Sequence, residues 1–442
     1  MSTEGKTPLH RLAVATVLTG TAAGVGGMSL ALLLHVVQHL AYGYSLDAVI
    51  SAESFLQGVS HASPLRRILV LTGCGALAGG GWWALYRYGR PLVSIRQAVQ
   101  SPGQPMPLPE TSVHALLQVV TVALGSPLGR EVAPREIGAA LGGWLSRRAG
   151  LTAEEGRILI ACGAGAGLAA VYNVPLAGAF FVLEVLLGTF SLPAVLPALI
   201  TSAIAARIAW IGLGDAVQYP VMPFATTGSL LVWSMLTGPV FGVAAYGFSR
   251  LATAMTAKSP RDWRLVPSAL AVFAGIGVLA IGFPQLLGNG KGPIQLSLAD
   301  DLSVVLALAL LLLRVLVTLA ALRVGAKGGM LTPGMTIGAL LATVVGGLWT
   351  TIWPGEPLGA FALVGAGAFL ASSMKMPLTA IALILEFTHV PQDVLFPVIF
   401  AVCGSCAADR LCDGWFSRVR PIEDGRTARI TLQPILPVKG DG

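Results

Sequence analysis

The sequence predicts an all-α polytopic membrane protein built from two repeated halves. Three observations carry that expectation: the scarcity of charge, the length of the apolar stretches, and one long motif that occurs twice. Of 442 residues, 55% are hydrophobic and 11% charged, against roughly 25% charged in an average soluble domain. A water-soluble fold of this size cannot hide so much apolar surface, so lipid is its solvent.

The apolar stretches have the length a bilayer requires. Leu302–Ala321 holds one charge, Arg314; Leu192–Ile211 holds only Arg207; Leu230–Phe248 holds none. With similar segments elsewhere, roughly ten or more membrane-embedded helices are expected at about 20 residues per span. Ala13–Val37 is too long for the apolar core of a cleaved leader and runs straight into further helices. Lys6 and Arg11 place the N-terminus in the cytoplasm. Arg410, Arg418, Arg420, Arg426 and Arg429 place the C-terminus on the same side, so the number of full crossings is even. The net charge of +7 is assigned to these flanks. No basic run interleaves with aromatics, so nucleic-acid binding is not expected. The CxxC pair Cys403 and Cys406 lies in an apolar run without a second pair or a histidine cluster, and it is read as helix packing rather than a metal site.

The repeat is the most informative pattern. Gly163–Glu184 reads GAGAGLAAVYNVPLAGAFFVLE, and Gly365–Glu386 reads GAGAFLASSMKMPLTAIALILE. They align without a gap, so that Pro175 matches Pro377 and Glu184 matches Glu386. Each copy is broken, at Tyr172–Pro175 and at Lys375–Pro377, with proline opening the next helix, where its missing N–H costs nothing. A second pair of breaks precedes the copies: Gly125-Ser126-Pro127-Leu128-Gly129-Arg130-Glu131-Val132-Ala133-Pro134 and Gly325-Ala326-Lys327-Gly328-Gly329-Met330-Leu331-Thr332-Pro333. Such loops expose backbone amides that suit anions. Irregular backbone at membrane depth is tolerated only where protein or a water-filled path surrounds it. Repeated halves with interrupted helices place a ligand site near the midplane.

These residues resemble the CLC family of chloride channels and anion–proton antiporters. Leu128-Gly129-Arg130-Glu131 resembles the start of its GREGP motif, and Gly329-Met330-Leu331-Thr332-Pro333 its GxFxP loop, with Leu331 where phenylalanine is usual. Gly163–Glu184, Pro284–Gly290, Gly365–Thr388 and Pro391–Phe400 extend the likeness from about residue 90 to about 415. The resemblance implies a homodimer of CLC type, with one anion path per subunit, many tilted helices and two inverted halves. The expected transport domain is 1–420, with halves of about 1–220 and 221–420, followed by a short cytoplasmic tail at 421–442. Glu131 falls on the family's gating glutamate. As an anion mimic it competes with a small anion for the same amides, and protonation releases the site. Gly129, Arg130, Val132, Ala133, Gly329, Met330, Leu331 and Thr332 are the expected anion-binding neighbours.

Four positions depart from the family. Gly89-Arg90-Pro91 stands where the first loop reads GSGIP, which makes Arg90 a candidate anion ligand. No tyrosine follows Tyr246, and Phe416 takes the place of the family's late tyrosine, with Trp415 beside it. Val185 replaces the inner proton-transfer glutamate that follows the position of Glu184. GREGP has become Gly-Arg-Glu-Val-Ala. Chloride transport through a path gated by Glu131 is the expected function, in a cell inner membrane and without a cofactor. A proton-coupled antiporter, with fluoride export as one form, is the alternative, and protons are then a second substrate. An intramembrane enzyme or a scaffold without transport is remote: the six histidines are scattered and show no zinc-type spacing. Arg135 and Glu136 are expected to pair, while Glu184 and Glu386 are expected as helix caps or inter-helix acceptors.

Overall fold

A computed structural model describes residues 7–44, 53–101 and 103–419, and the side chains as far as Trp415. The chain runs through α1 (Leu9–Tyr42), α2 (Phe55–His61), α3 (Pro64–Tyr88), α4 (Ile95–Gln100), α5 (Leu108–Ala123), α6 (Val132–Arg148), α7 (Ala153–Tyr172), α8 (Pro175–Phe180) and α9 (Leu192–Leu213). It continues through α10 (Gly228–Ala257), α11 (Leu265–Gly282), α12 (Lys291–Leu298), α13 (Val304–Arg323), α14 (Leu331–Trp349), α15 (Leu358–Ser373), α16 (Pro377–Thr388) and α17 (Leu395–Val419). A π-helical turn, Phe181–Leu187, extends α8. Among the described residues eight helices are long and apolar enough to cross a membrane, and three shorter apolar helices accompany them. The expectation of ten or more embedded helices therefore divides into full crossings and partial ones.

The helix order repeats. The segment α3 to α9 has its counterpart in α11 to α17, and α1 pairs with α9 as α10 pairs with α17. The breaks between α7 and α8 and between α15 and α16 are built alike. Asn173 and Lys375 occupy the same place in the repeat, and both adopt positive φ, 56° and 53°. A left-handed residue there ends one helix and lets proline start the next.

The GAGA segments are explained by helix spacing. A methyl on Gly138 would overlap the carbonyl of Gly163, and one on Gly338 would press on the carbonyl of Gly365. Only glycine lets α6 and α7, or α14 and α15, approach backbone to backbone.

Two reciprocal contacts fix how the halves meet. Glu184 accepts from the amides of Leu378 (2.9 Å) and Thr379 (2.8 Å) and from the Thr379 hydroxyl (2.6 Å). Glu386 accepts from the amides of Leu176 and Ala177, both at 2.8 Å. Each half thus caps the broken helix of the other. Exchange of equivalent contacts is the signature of a two-fold relation between the halves. A carboxylate at a helix start satisfies orphan N–H groups and complements the positive end of the helix. Glu184→Gln and Glu386→Gln are each expected to lower stability by about 1–2 kcal/mol. Thermal unfolding in detergent micelles checks this, and similar losses for the two variants would reflect the symmetry.

Candidate functional site

The two glycine-rich loops meet and cross in the interior of the bundle. Tyr42, the last residue of α1, donates its hydroxyl to the Leu124 carbonyl (2.8 Å) beside the first loop. The second loop leaves α13 next to Arg323, whose guanidinium reaches the Lys258 carbonyl (2.7 Å) at the end of α10. Where they meet, Gly129 and Gly329 form an isolated antiparallel bridge, with N–H···O distances of 2.7 and 2.8 Å. Gly125 and Gly325 open the loops with φ of 107° and 83°, a conformation that glycine adopts without strain.

Glu131 lies at this crossing and is 0% exposed. It is the N-cap residue of α6, but its carboxylate makes no bond to its own helix. Instead Oε1 accepts the Leu331 amide at 2.7 Å, the first N–H of α14. The Tyr172 hydroxyl donates to Oε2 at 3.3 Å and stands 3.0 Å from the Thr332 hydroxyl. The carboxylate therefore takes the place where a small anion would meet a helix N-terminus. A methyl on either Gly129 or Gly329 would overlap it, so the bridge glycines make the pocket that holds it.

A buried arginine ties the first loop to the segment after α11. Arg314 is 0% exposed and has no carboxylate partner among the described residues. Its guanidinium donates to the carbonyls of Leu286 (3.1 Å), Gly288 (2.8 Å) and Pro127 (3.0 Å). Gly288 N–H in turn donates to the Gly125 carbonyl (2.9 Å). The segment after α11 and the first glycine loop are thus one hydrogen-bonded body, which satisfies carbonyls that no helix can use.

The structure brings together most of the residues singled out in the sequence. Gly129, Arg130, Val132 and Ala133 flank Glu131 in the chain. Gly329, Met330, Leu331 and Thr332 face it across the crossing, with Met330 as the N-cap of α14. Arg130 stacks over the Tyr172 ring, with its Cζ 5.1 Å from the centroid, and makes no ion pair with Glu131. Arg90 is elsewhere: its exposed guanidinium grips Glu110 through two 2.9 Å bonds at the start of α5. Its charge is committed to a carboxylate rather than presented to an anion. The backbone of Phe416 continues α17, and its side chain lies outside the described residues. Residues 421–442 lie outside them as well.

The pairing of Arg135 with Glu136 is corrected. Glu136 accepts from Gln118 (2.9 Å) and meets His114 Nδ1 at 2.9 Å, forming a buried polar cluster between α5 and α6. Arg135 lies over the Phe181 ring at 4.6 Å. Adjacent residues on a helix point about 100° apart, so neighbours in sequence rarely meet. Tyr172, Arg314 and Lys291 were not found as site residues from the sequence. Their hydrogen bonds and ring contacts join segments between 26 and 187 residues apart, and no local pattern marks that. Replacing Arg314 by Met is expected to cost about 3–5 kcal/mol, because three buried carbonyls lose their donor. A lowered unfolding temperature, with faster proteolysis at Ser126–Arg130, checks this.

Comparison with known proteins agrees with this architecture. The family model described as "Voltage gated chloride channel" matches residues 74–410. The H(+)/Cl(-) exchange transporter ClcA of Salmonella arizonae is 29% identical over 422 residues, covering 90% of this chain and 85% of that protein. ClcA of Salmonella schwarzengrund is 32% identical over 299 residues, covering 64% and 62%. Among solved structures, a slow cyanobacterial Cl-/H+ antiporter superposes with a TM-score of 0.76 at 20% identity, covering 92% of this chain and 98% of that one. A CLC-type fluoride/proton antiporter gives 0.65 at 21% identity, with 91% and 96% covered. At these identities the structural likeness speaks for the fold alone. With the matched residues spanning most of the bundle, both glycine loops and both copies of the repeat, the chain belongs to the voltage gated chloride channel (CLC) family.

Proposed function

We propose that this integral membrane protein carries chloride through a path that crosses at Gly129–Gly329, with Glu131 as the gate. The observation that supports this most directly is the Glu131 carboxylate on the Leu331 amide. A helix N-terminus buried at the meeting point of two irregular loops offers a halide the donors that water would otherwise supply. Glu131 occupies those donors while ionised. Once protonated, it loses the charge that makes it a competitor, and the amide becomes free for chloride.

The same carboxyl can carry a proton, and the relatives compared above are named H(+)/Cl(-) exchange transporters. That favours exchange as the second reading. Val185, in the π-helical turn after α8, offers no titratable group there, so coupling would use another route. Fluoride is an alternative cargo. Two inverted halves at about 1–220 and 221–420 form one transport domain. The family resemblance supports a homodimer with one path per subunit, and a cell inner membrane as its location. Cytoplasmic termini are supported by the basic α6–α7 turn, with Arg147 and Arg148. That turn lies on the face where the chain begins: the Thr7 hydroxyl donates to Glu155 at 2.5 Å.

Efflux from reconstituted liposomes, with internal pH recorded in the same vesicles, tests this reading. Wild-type protein should release chloride. In Glu131→Gln, chloride release should persist and lose its pH dependence, together with any opposing proton movement. Absence of chloride, bromide and fluoride flux from well-folded protein would overturn it.

A further inference from the structure

On the side of the crossing where α1 ends, positive charge exceeds what the carboxylates offset. Lys291 opens α12, and its Nζ lies 5.8 Å from the centroid of the Tyr219 ring. Arg130 lies 5.1 Å from the centroid of the Tyr172 ring. Both tyrosine rings meet Phe387 edge-on at 5.4 Å, and the Tyr219 amide donates to the Phe387 carbonyl at 3.0 Å. Three packed aromatic rings therefore hold two cation heads at their ends. The cations are close enough to repel each other, and His35 on α1 is within reach of both.

Neither cation forms an ion pair among the described residues. Arg130 also keeps a buried Nε without a partner. The charges nearby do not cancel. Arg135 faces both Glu131 and Glu136, Glu131 the more strongly, so two carboxylates stand against three cations, Arg130, Arg135 and Lys291. One positive charge is therefore left over around the crossing. The positive end of α12 adds to the excess. Two like charges partly withdrawn from water are costly without a counter-charge. Stacking on tyrosine faces relieves part of that cost and leaves net charge in place.

We propose that Arg130 and Lys291 form a binding site for one small monovalent inorganic anion, outside Glu131, and that it fills while the Glu131 carboxylate still holds the Leu331 amide. An anion waiting there would stand next in line for the donors that Glu131 vacates. The proposal rests on the reading of Glu131 as the gate only for that order of events; the site itself follows from the charge balance.

Bromide tests it directly. Crystals of the wild-type protein grown in sodium bromide should show anomalous scattering between Lys291 Nζ and the Arg130 guanidinium, with Glu131 in place. In liposomes, Lys291→Gln should raise the half-saturating chloride concentration on that side about tenfold, equivalent to the loss of about 1.4 kcal/mol of binding. Lys291→Arg should stay near wild type. No bromide between the two cations in wild-type crystals that bind bromide elsewhere would overturn the proposal. So would an unchanged half-saturation in well-folded Lys291→Gln. The gate reading is judged separately, by whether Glu131→Gln crystals gain bromide on the Leu331 amide.

Discussion

Backbone N–H and C=O groups at membrane depth have no water to turn to, and the centre of this protein is organised around that restriction. Two loops break the helical pattern in the middle of the bundle and leave polar groups free. Some of these pair with each other at Gly129 and Gly329. The Pro127 carbonyl of the first loop is taken by Arg314, which also holds the Leu286 and Gly288 carbonyls after α11. The amide of Leu331 goes to Glu131. That last pairing differs from the rest, because a carboxylate can lose its charge and let go.

In the proposed function, reversibility is the link from packing to transport. An amide paired with a carbonyl is permanently occupied, whereas one paired with a titratable carboxylate is available to another anion at the expense of one proton. The surroundings keep the exchange local. Gly129 and Gly329 hold the carboxyl in a pocket without room for a methyl, and Tyr172 steadies its second oxygen. The reciprocal caps at Glu184 and Glu386 keep the halves in register. Similar carboxylates serve there as fixed structure. All three accept amides at helix starts. What sets Glu131 apart is its place at the loop crossing, in contact with a tyrosine hydroxyl rather than beside a helix surface.

The cationic surroundings of the crossing follow the same logic. Arg90 and Arg314 each have their charge or donors committed, one to a carboxylate and one to carbonyls. Arg130 and Lys291 are instead supported on ring faces, which leaves their charge without a paired carboxylate. Charges handled in this second way shape the potential felt by an approaching anion.

Much was legible in the order of residues. Apolar length gave the membrane class, and the doubled GAGA-to-glutamate motif gave the two halves. Glycine and proline placement located the breaks, since left-handed turns and helix starts have local chemical preferences. A glutamate inside a glycine-rich break stood out as the candidate gate because an ionisable group there is costly. Packing settled the rest. Whether Glu131 turned to its own helix or to α14, whether Glu136 met Arg135 or His114, and whether Arg90 faced the path or Glu110 all depended on segments brought together from distant parts of the chain. Lys291 acquired significance only when Tyr219, Tyr172 and Phe387 set it opposite Arg130. Local sequence encodes where a helix must stop. Which donors and charges then face one another is decided by how the two halves close on their shared axis.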